Sequence, residues 1–579
     1  ITMATTVLKP GGYERFAQIA GALEGAKGAW TGVNVPAVEA LAEQARTGDR
    51  CRKPMKPIPS KKIGETVPLL DCFHAPCRSG CPIHQDIPAY LMRVSEGRYQ
   101  EALEIITQRN PLPFITGTIC SHRCQDKCMR GHYDQPVYIR SAKRKAAEGG
   151  FEGLLKGLKP GTPAAGKRVA VIGGGPAGLS AAFLLGRAGV STTVFERRDT
   201  LGGIVRHVIP AFRIGDEAIE QDIALCKAVG VEFRLNTEIT SAQSLFDQGY
   251  THVFFATGAW EKGDPDLSYG EAMNVLDFLE GAKKAPETLK LGAHVVVIGG
   301  GNTAMDAARA AKRIPGVADV TLVYRRTRRY MPADQEELEL ALADGVLFQE
   351  LLAPVGVKDG VLTCKVMELG APDASGRRSP VETGRTLELP ADTVITAIGE
   401  RVNTALYQAN GLEVDGQGRP VVNRDTLESS VRRVFVIGDG QSGPGTVVEA
   451  IAGASKAAGA IAALDLDRYA EENHKAERYP ALLGKRGDVC TGCASCEDMR
   501  CLGCATVCET CASVCPNRAN VPVWVPGMRM RQIIHVDGMC NECGNCAVFC
   551  PYDSRPYQEK LTLFWSPADF ANSQNPGFL

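Results

Sequence analysis

The chain has 579 residues, enough for three or four domains at about 150 residues each. Its 65 Lys+Arg against 66 Asp+Glu give a net charge of −1, which excludes the basic excess of a nucleic-acid binder. An apolar content of 44% excludes a disordered chain, and apolar runs such as Val169–Ile172 and Val295–Ile298 fall far short of the ~20 residues a membrane span needs. The opening residues hold no secretory apolar core, and the start at Ile1 rather than Met is that expected of a piece of a longer polypeptide. Of 21 cysteines, Cys51, Cys226 and Cys364 stand alone and read as ordinary small residues. The rest fall in tight runs, and short repeated spacing in a long chain points to metal ligation rather than disulfides, hence a cytoplasmic protein.

Residues 1–165 read as helical with cysteine-bearing loops. Leu91, Val94, Tyr99, Leu103 and Ile106 predict one helix over 89–110, stopped by Asn110-Pro111. Around it lie Cys72-x4-Cys77-x3-Cys81-Pro82 and Cys120-x3-Cys124-x3-Cys128. His74, His84 and His122 sit beside these cysteines as packing or tuning groups, and Lys143, Arg144 and Lys145 read as a solvated basic face. A Gly/Pro-rich linker, 155–167, follows.

Next comes a strand, a glycine turn, a helix and a strand, the unit that binds dinucleotides. In Gly173-x-Gly175-Pro176-Ala177-Gly178 the first glycine allows the turn, the second lets backbone approach a pyrophosphate, and the third lets helix pack on strand. Glu196, with Arg197 behind it, ends the next strand, where a carboxylate accepts ribose hydroxyls and repels a 2′-phosphate. This site suits FAD or NAD. Leu201-Gly202-Gly203, Ala256-Thr257-Gly258, Gly438-Asp439 and Thr446-Val447 follow in order. In these elements the sequence resembles the two-dinucleotide-binding flavoprotein disulfide reductase superfamily. That resemblance implies FAD, with Asp439 at the ribityl chain and the helix after Thr446 aimed at the flavin.

The same grammar returns at 294–325 with Gly299-x-Gly301-Asn302-Thr303-Ala304. Its second strand ends in Arg325-Arg326 where the first had Glu196. A guanidinium forked onto a 2′-phosphate is worth roughly 1.5–3 kcal/mol, so NADP(H) is expected over NAD(H). No CxxC or CxxxxC lies near Gly203 or in this second unit, so a thioredoxin-reductase activity is not expected.

Cys540-x2-Cys543-x2-Cys546-x3-Cys550-Pro551 is a bacterial ferredoxin run, and Cys504-x3-Cys508-x2-Cys511-x3-Cys515-Pro516 is the same run with one extra residue. Because the fourth cysteine of each run serves the other cluster, Cys504, Cys508, Cys511 and Cys550 would hold one [4Fe–4S] cluster and Cys515, Cys540, Cys543 and Cys546 the other. Cys490, Cys493, Cys496 and Cys501 would hold a further cluster or a zinc, or Cys501 would replace Cys504.

The N-terminal cysteines ahead of a flavin domain resemble the glutamate synthase small subunit and the N-terminal part of dihydropyrimidine dehydrogenase. That resemblance implies one or two [4Fe–4S] clusters, one on Cys72, Cys77 and Cys128 and another on Cys81, Cys120 and Cys124. This sequence has Leu69 where the family has a cysteine, and His132 or Glu148 would complete the second set. The combined order is similar to that of selenate reductase iron–sulfur subunits over about residues 65–560, though no residue shows selenate chemistry.

The expected fold is α/β, with two Rossmann-like domains for FAD and NADP between an N-terminal α-helical iron–sulfur domain (1–165) and a C-terminal ferredoxin-like domain (476–560). The FAD domain would span 166–287 and 392–475, the NAD(P)H domain 288–391, and 561–579 would be a tail. The expected function is electron exchange between NADP(H) and a partner redox subunit, such as a molybdenum enzyme, or a ferredoxin. The cofactors would do the chemistry, with no catalytic acid–base pair. The alternatives are an independent glutamate synthase-like or dihydropyrimidine dehydrogenase-like reductase lacking its second catalytic domain, and a non-catalytic redox scaffold.

Overall fold

The computed structural model describes residues 59–72, 74–263, 267–374, 376–466, 479–486, 497–528 and 530–579, with a few isolated positions before residue 59. These form two compact units. One joins Pro59–Lys159 to Ala463–Leu579, and the other is built on Pro160–Ala462.

In the first unit, α1 (Ile87–Ser95) starts where the Asp86 carboxylate accepts the Ala89 N–H. The expected helix over 89–110 is two: Gly97 turns at φ +72°, and α2 (Tyr99–Arg109) begins after it. Both helices keep the predicted apolar face, with Leu91, Val94, Leu103 and Ile106 buried. After α3 (Pro113–Ile119), α4 (Ile139–Gly157) lies across α2 and α3.

In the second unit, β1 (Arg168–Ile172) leads through the glycine turn into α5 (Pro176–Arg187) and then β2 (Ser191–Phe195). With β3 (Glu232–Arg234), β4 (His252–Phe255) and the late β13 (Val434–Val436) they make a parallel sheet ordered β13-β4-β1-β2-β3. A Cβ on Gly178 would stand 2.0 Å from the Gly173 carbonyl oxygen, so only glycine lets α5 sit this close to β1. The second sheet is also parallel, ordered β5-β12-β6-β7-β8. Its strands are β5 (Met273–Asn274), β6 (His294–Ile298), β7 (Asp319–Tyr324), β8 (Leu347–Glu350) and β12 (Thr393–Thr396), with α6 (Asn302–Ala311) and α7 (Gln335–Ala343) between them. An antiparallel sheet of β9 (Leu352–Lys358), β10 (Val361–Pro372) and β11 (Arg378–Pro390) is inserted before β12. Helix α8 (Val447–Ile461) closes the unit.

The chain then returns to the first unit. There β14 (Asn520–Val523), β15 (Gln532–Val536), β16 (Leu561–Leu563) and β17 (Gly577–Phe578) form a four-stranded sheet. The segment 561–579, expected to be a tail, supplies two of these strands, each too short for an alternation pattern to show. Residues 63–71 and 532–551, far apart in sequence, pack together. Ile63 N–H donates to the Pro551 carbonyl at 2.7 Å, and Asp71 N–H donates to Gln532 Oε1 at 2.8 Å. Among the described residues no helix is long and apolar enough to cross a membrane.

One buried ion cluster ties Arg213 to α6 and α7 in the second unit. Arg213 donates to Asp306 at 2.8 Å and to Glu337, and all three side chains are nearly buried. Burial pushes the Asp306 carboxyl up to about 6, even with Arg213 pulling it down. Replacing Arg213 with alanine would leave two carboxylates buried without their cation. Arg213→Ala is expected to destabilise the unit by about 3–5 kcal/mol, read as a lower denaturation midpoint. The folded state keeps the Asp306 proton to higher pH than the unfolded chain does. The loss should therefore deepen as pH rises through 6.

Candidate flavin site, second nucleotide loop and cysteine sets

The loop after β1, the end of β2, the end of β4 and the start of α8 enclose a cavity of about 230 Å³. Gly173, Gly175, Pro176, Ala177, Glu196, Arg197, Gly203, Ala256, Thr257, Gly258, Asp439, Thr446 and Val447 line it. Gly178, Leu201, Gly202 and Gly438 stand behind the wall, where they set close packing. A Cβ on Gly438, for instance, would meet the Ala177 methyl at 2.6 Å. Glu196 is buried; one carboxylate oxygen accepts the Gly174 N–H at 2.7 Å and the other the Arg198 N–H at 2.9 Å. It therefore braces the phosphate loop as well as facing the cavity.

Thr446 caps α8, with Glu449 returning the bond in a capping box, so the helix starts against the cavity with its positive end. Burial pushes the Asp439 carboxyl up to about 6, while a bond from Gly445 N–H at 3.1 Å works against it. Sequence reasoning missed Thr237–Thr240, Trp260, Asn403 and Leu406, which also line the cavity. They come from crossovers with no motif. Tyr407 was missed too; its hydroxyl donates to the Gly440 carbonyl at 2.9 Å and holds the Gly-Asp turn. The cavity fits a dinucleotide: bare backbone at one end, a bracing acid, and a helix start at the other.

At the second loop, Gly299 precedes α6, and Gly301 faces open space that a Cβ would not fill. Ala304 packs where Gly178 does in the first loop, its Cβ 3.1 Å from a Cβ built on Gly299. Asn302 bonds Asp334 in both directions, at 2.9 and 3.1 Å, and Thr303 follows it in the first turn of α6. Just beyond β7, Arg325 is exposed. Arg326 donates to the Arg378 carbonyl at 3.2 Å, and Arg328 pairs with Glu350 at 3.3 Å. Of the predicted pair, Arg325 is the exposed one and Arg326 is half-buried.

In the first unit the described cysteines gather in sets. Cys81, Cys120 and Cys124 form one: burial, then Cys81 and Cys120, push the Cys124 thiol well above its usual range. Cys77 is pushed up likewise by burial and by the neighbouring thiols of Cys128, Cys501, Cys504 and Cys124. Burial, then Cys508, Cys72 and Cys550, act on Cys511, and Cys508 and Cys72 both act on Cys550. Cys540 and Cys546 each have Cys515 as a neighbour, with Cys543 exposed nearby in the chain.

Backbone N–H groups point at sulfur. Gly503 donates to Cys501 at 3.5 Å, Ala519 to Cys515 at 3.2 Å and Glu542 to Cys540 at 3.3 Å. Such donors suit cluster thiolates, whose charge they share. Among the described residues no three His, Cys, Asp or Glu converge tightly enough for a single metal ion, whereas a cubane spreads its thiolates around four irons.

Several expectations change. Lys143 is not solvated; it is 3% exposed and acts on Cys124, because α4 turns it inward. Glu148 is exposed and pairs with Arg144 at 2.7 Å, away from the Cys81 set. His132 borders Cys504 and Cys508 instead of Cys81, and burial pulls its imidazole down to about 4. Leu69 supplies a carbonyl to the buried Lys560 ammonium. Cys226 and Cys364 are buried. Cys51, Cys490, Cys493 and Cys496 lie outside the described residues.

Residues 167–454 match the pyridine nucleotide-disulphide oxidoreductase family, and residues 56–152 match dihydropyrimidine dehydrogenase domain II, 4Fe-4S cluster. YgfK of Escherichia coli strain K12, named as an oxidoreductase, is 45% identical over all of this chain and 58% of its own length. The chain thus spans just over half of that relative. The NADP(+)-dependent formate dehydrogenase subunit beta of Moorella thermoacetica is 38% identical over 68% of this chain and 60% of that protein. The glutamate synthase (NADPH) small chain of Escherichia coli strain K12 is 35% identical over 68% of this chain and 89% of that protein. These relatives support the family and not the selenate-specific part of the resemblance. The chain belongs to the family of the glutamate synthase (NADPH) small chain, with residues 167–454 matching the pyridine nucleotide-disulphide oxidoreductase family.

Proposed function

We propose that this chain is the NADPH-linked electron-transfer part of a larger enzyme, exchanging electrons between NADP(H) and a partner redox protein. The observation that carries this reading is the reversal of charge at its two glycine loops. Buried Glu196 braces the first, and exposed Arg325 follows the second. An acid beside a ribose repels a 2′-phosphate, and an exposed guanidinium attracts one. The first loop then holds FAD, and the second admits NADPH. Flavin bound in the cavity supplies the exchange between hydride and single electrons, which iron–sulfur centres carry one at a time. The protein's share is placement: α5 and α8 present their N-termini to the cavity, and Asp439 offers its carboxylate to the ribityl chain. Names of relatives support a subunit role, since two are a subunit beta and a small chain and both carry NADP(H).

Anaerobic stopped-flow mixing tests this. NADPH should bleach the flavin first and the cluster absorbance second, and NADH should act about 10- to 100-fold more weakly. Arg325→Ala should remove most of that preference and leave NADH unchanged. Equal rates with both coenzymes, or an unbleached flavin, would overturn the reading.

Asp439 gives a pH test. With its carboxyl held near 6, it is largely protonated at pH 5 and charged at pH 7. If the charged form receives the ribityl hydroxyls, FAD rebinding to stripped protein should tighten by about tenfold between those pH values. Asp439→Asn should flatten that dependence.

A further inference from the structure

We infer that the two ends of the chain share two iron–sulfur clusters, one held by Cys77, Cys128, Cys501 and Cys504 and the other by Cys72, Cys508, Cys511 and Cys550. The inference rests on the reading that clusters occupy the first unit, and it assigns their ligands.

A ferredoxin run places its first cysteine three residues before the second. Upstream of Cys508 that position is Ala505, and Cys504 is one residue out. The structure supplies another thiol from the far end of the chain: Cys511 and Cys550 both have Cys72 and Cys508 as neighbours. Bonds on either side hold Cys72 there. Asp71 N–H donates to Gln532 Oε1, and Gln532 donates back to the Asp71 carboxylate at 2.7 Å, across 461 residues of sequence. Lys560, 2% exposed, donates to the Pro68 carbonyl at 2.6 Å and brings an ammonium beside Cys72 and Cys511, where it offsets thiolate charge.

Cys504, so released, lies with Cys501 in a CxxC pair. Cys77, Cys128, Cys501 and Cys504 line one small cavity of about 20 Å³, walled by Pro76, Leu91 and Val137. A buried ion triad fixes the approach. Arg130, two residues after Cys128, pairs with Asp134 at 2.7 Å, and Arg500, next to Cys501, pairs with the same carboxylate at 2.9 Å. All three side chains are at most 6% exposed. Cys501 therefore faces Cys128, with its thiolate bonded by Gly503 N–H. Cys504 also borders Cys508, so the sharpest rival keeps Cys504 with Cys508, Cys511 and Cys550.

The test uses the full chain, loaded with iron and sulfide. Cys77→Ser and Cys501→Ser should each remove about four irons per chain, and the double variant should remove no more than either alone. Cys72→Ser and Cys511→Ser should behave as a second such pair. The spectrum of reduced protein should lose one and the same EPR signal within each pair. Additive losses within a pair would overturn the assignment.

A second measurement needs no variant. During stepwise oxidative stripping of the wild-type protein, iodoacetamide should label Cys77, Cys128, Cys501 and Cys504 as one cohort and Cys72, Cys508, Cys511 and Cys550 as another. Labelling of Cys501 together with Cys490, Cys493 and Cys496, or of Cys504 together with Cys508 and Cys511, would refute it. A wild-type chain that takes up no iron would sink the cluster reading itself, while iron present with other cohorts would sink only this assignment.

Discussion

Thiols packed together away from water do not stay charged unless something pairs with them. The first unit is organised around that constraint. Its small apolar groups count cysteine among their members: Cys550 lies with Ile63 and Tyr552, and Cys511 and Cys546 lie with Ile533. Burial holds these thiols above their ordinary range, so sulfur there packs as core. With ligands drawn from both ends of the chain, metal uptake and closure of the unit become one event. A shared cluster is then a staple across a long loop, placed where a disulfide would stand in an oxidising compartment.

The second unit solves a different problem with the same strand–turn–helix unit used twice. The turns are alike, though the first leaves room only for Gly178 where the second accommodates the methyl of Ala304. Charge separates them. At the first loop the acid is buried and spends both oxygens on backbone N–H groups, so it cannot be exchanged without loosening the turn. At the second, Arg325 lies on the surface just beyond β7, where its side chain braces no turn.

What was legible in the sequence follows from distance along the chain. The glycine loops, Glu196, and the cap at Thr446 are set by neighbours within one strand–turn–helix step, so their pattern announces them. The break at Gly97 was hidden because the apolar spacing on its two sides happens to stay in phase. The partner of Cys72 was beyond reach of any spacing rule, since the bonds that place it cross hundreds of residues. Lys143 was misjudged for a related reason: a run of three cations looks like a solvated face until the packing of α4 shows which one turns inward.

That buried lysine bears on the remaining set, Cys81, Cys120 and Cys124. Three thiols stand there with Cys77 and Cys128 beyond them, and Tyr90, fully buried, has a hydroxyl with no hydrogen-bond partner in their midst. Neighbouring thiols raise the Tyr90 phenol after burial does, while Lys143 acts the opposite way on Cys124. An ammonium at this place favours thiolate over thiol and offsets one of the three charges that ligation would create. A cluster bound there would carry a less negative surrounding than one held by four thiolates, and a less negative site is easier to reduce. Lys143 thus gives the three-cysteine set a buried cation of its own, as Lys560 does for Cys72 and Cys511.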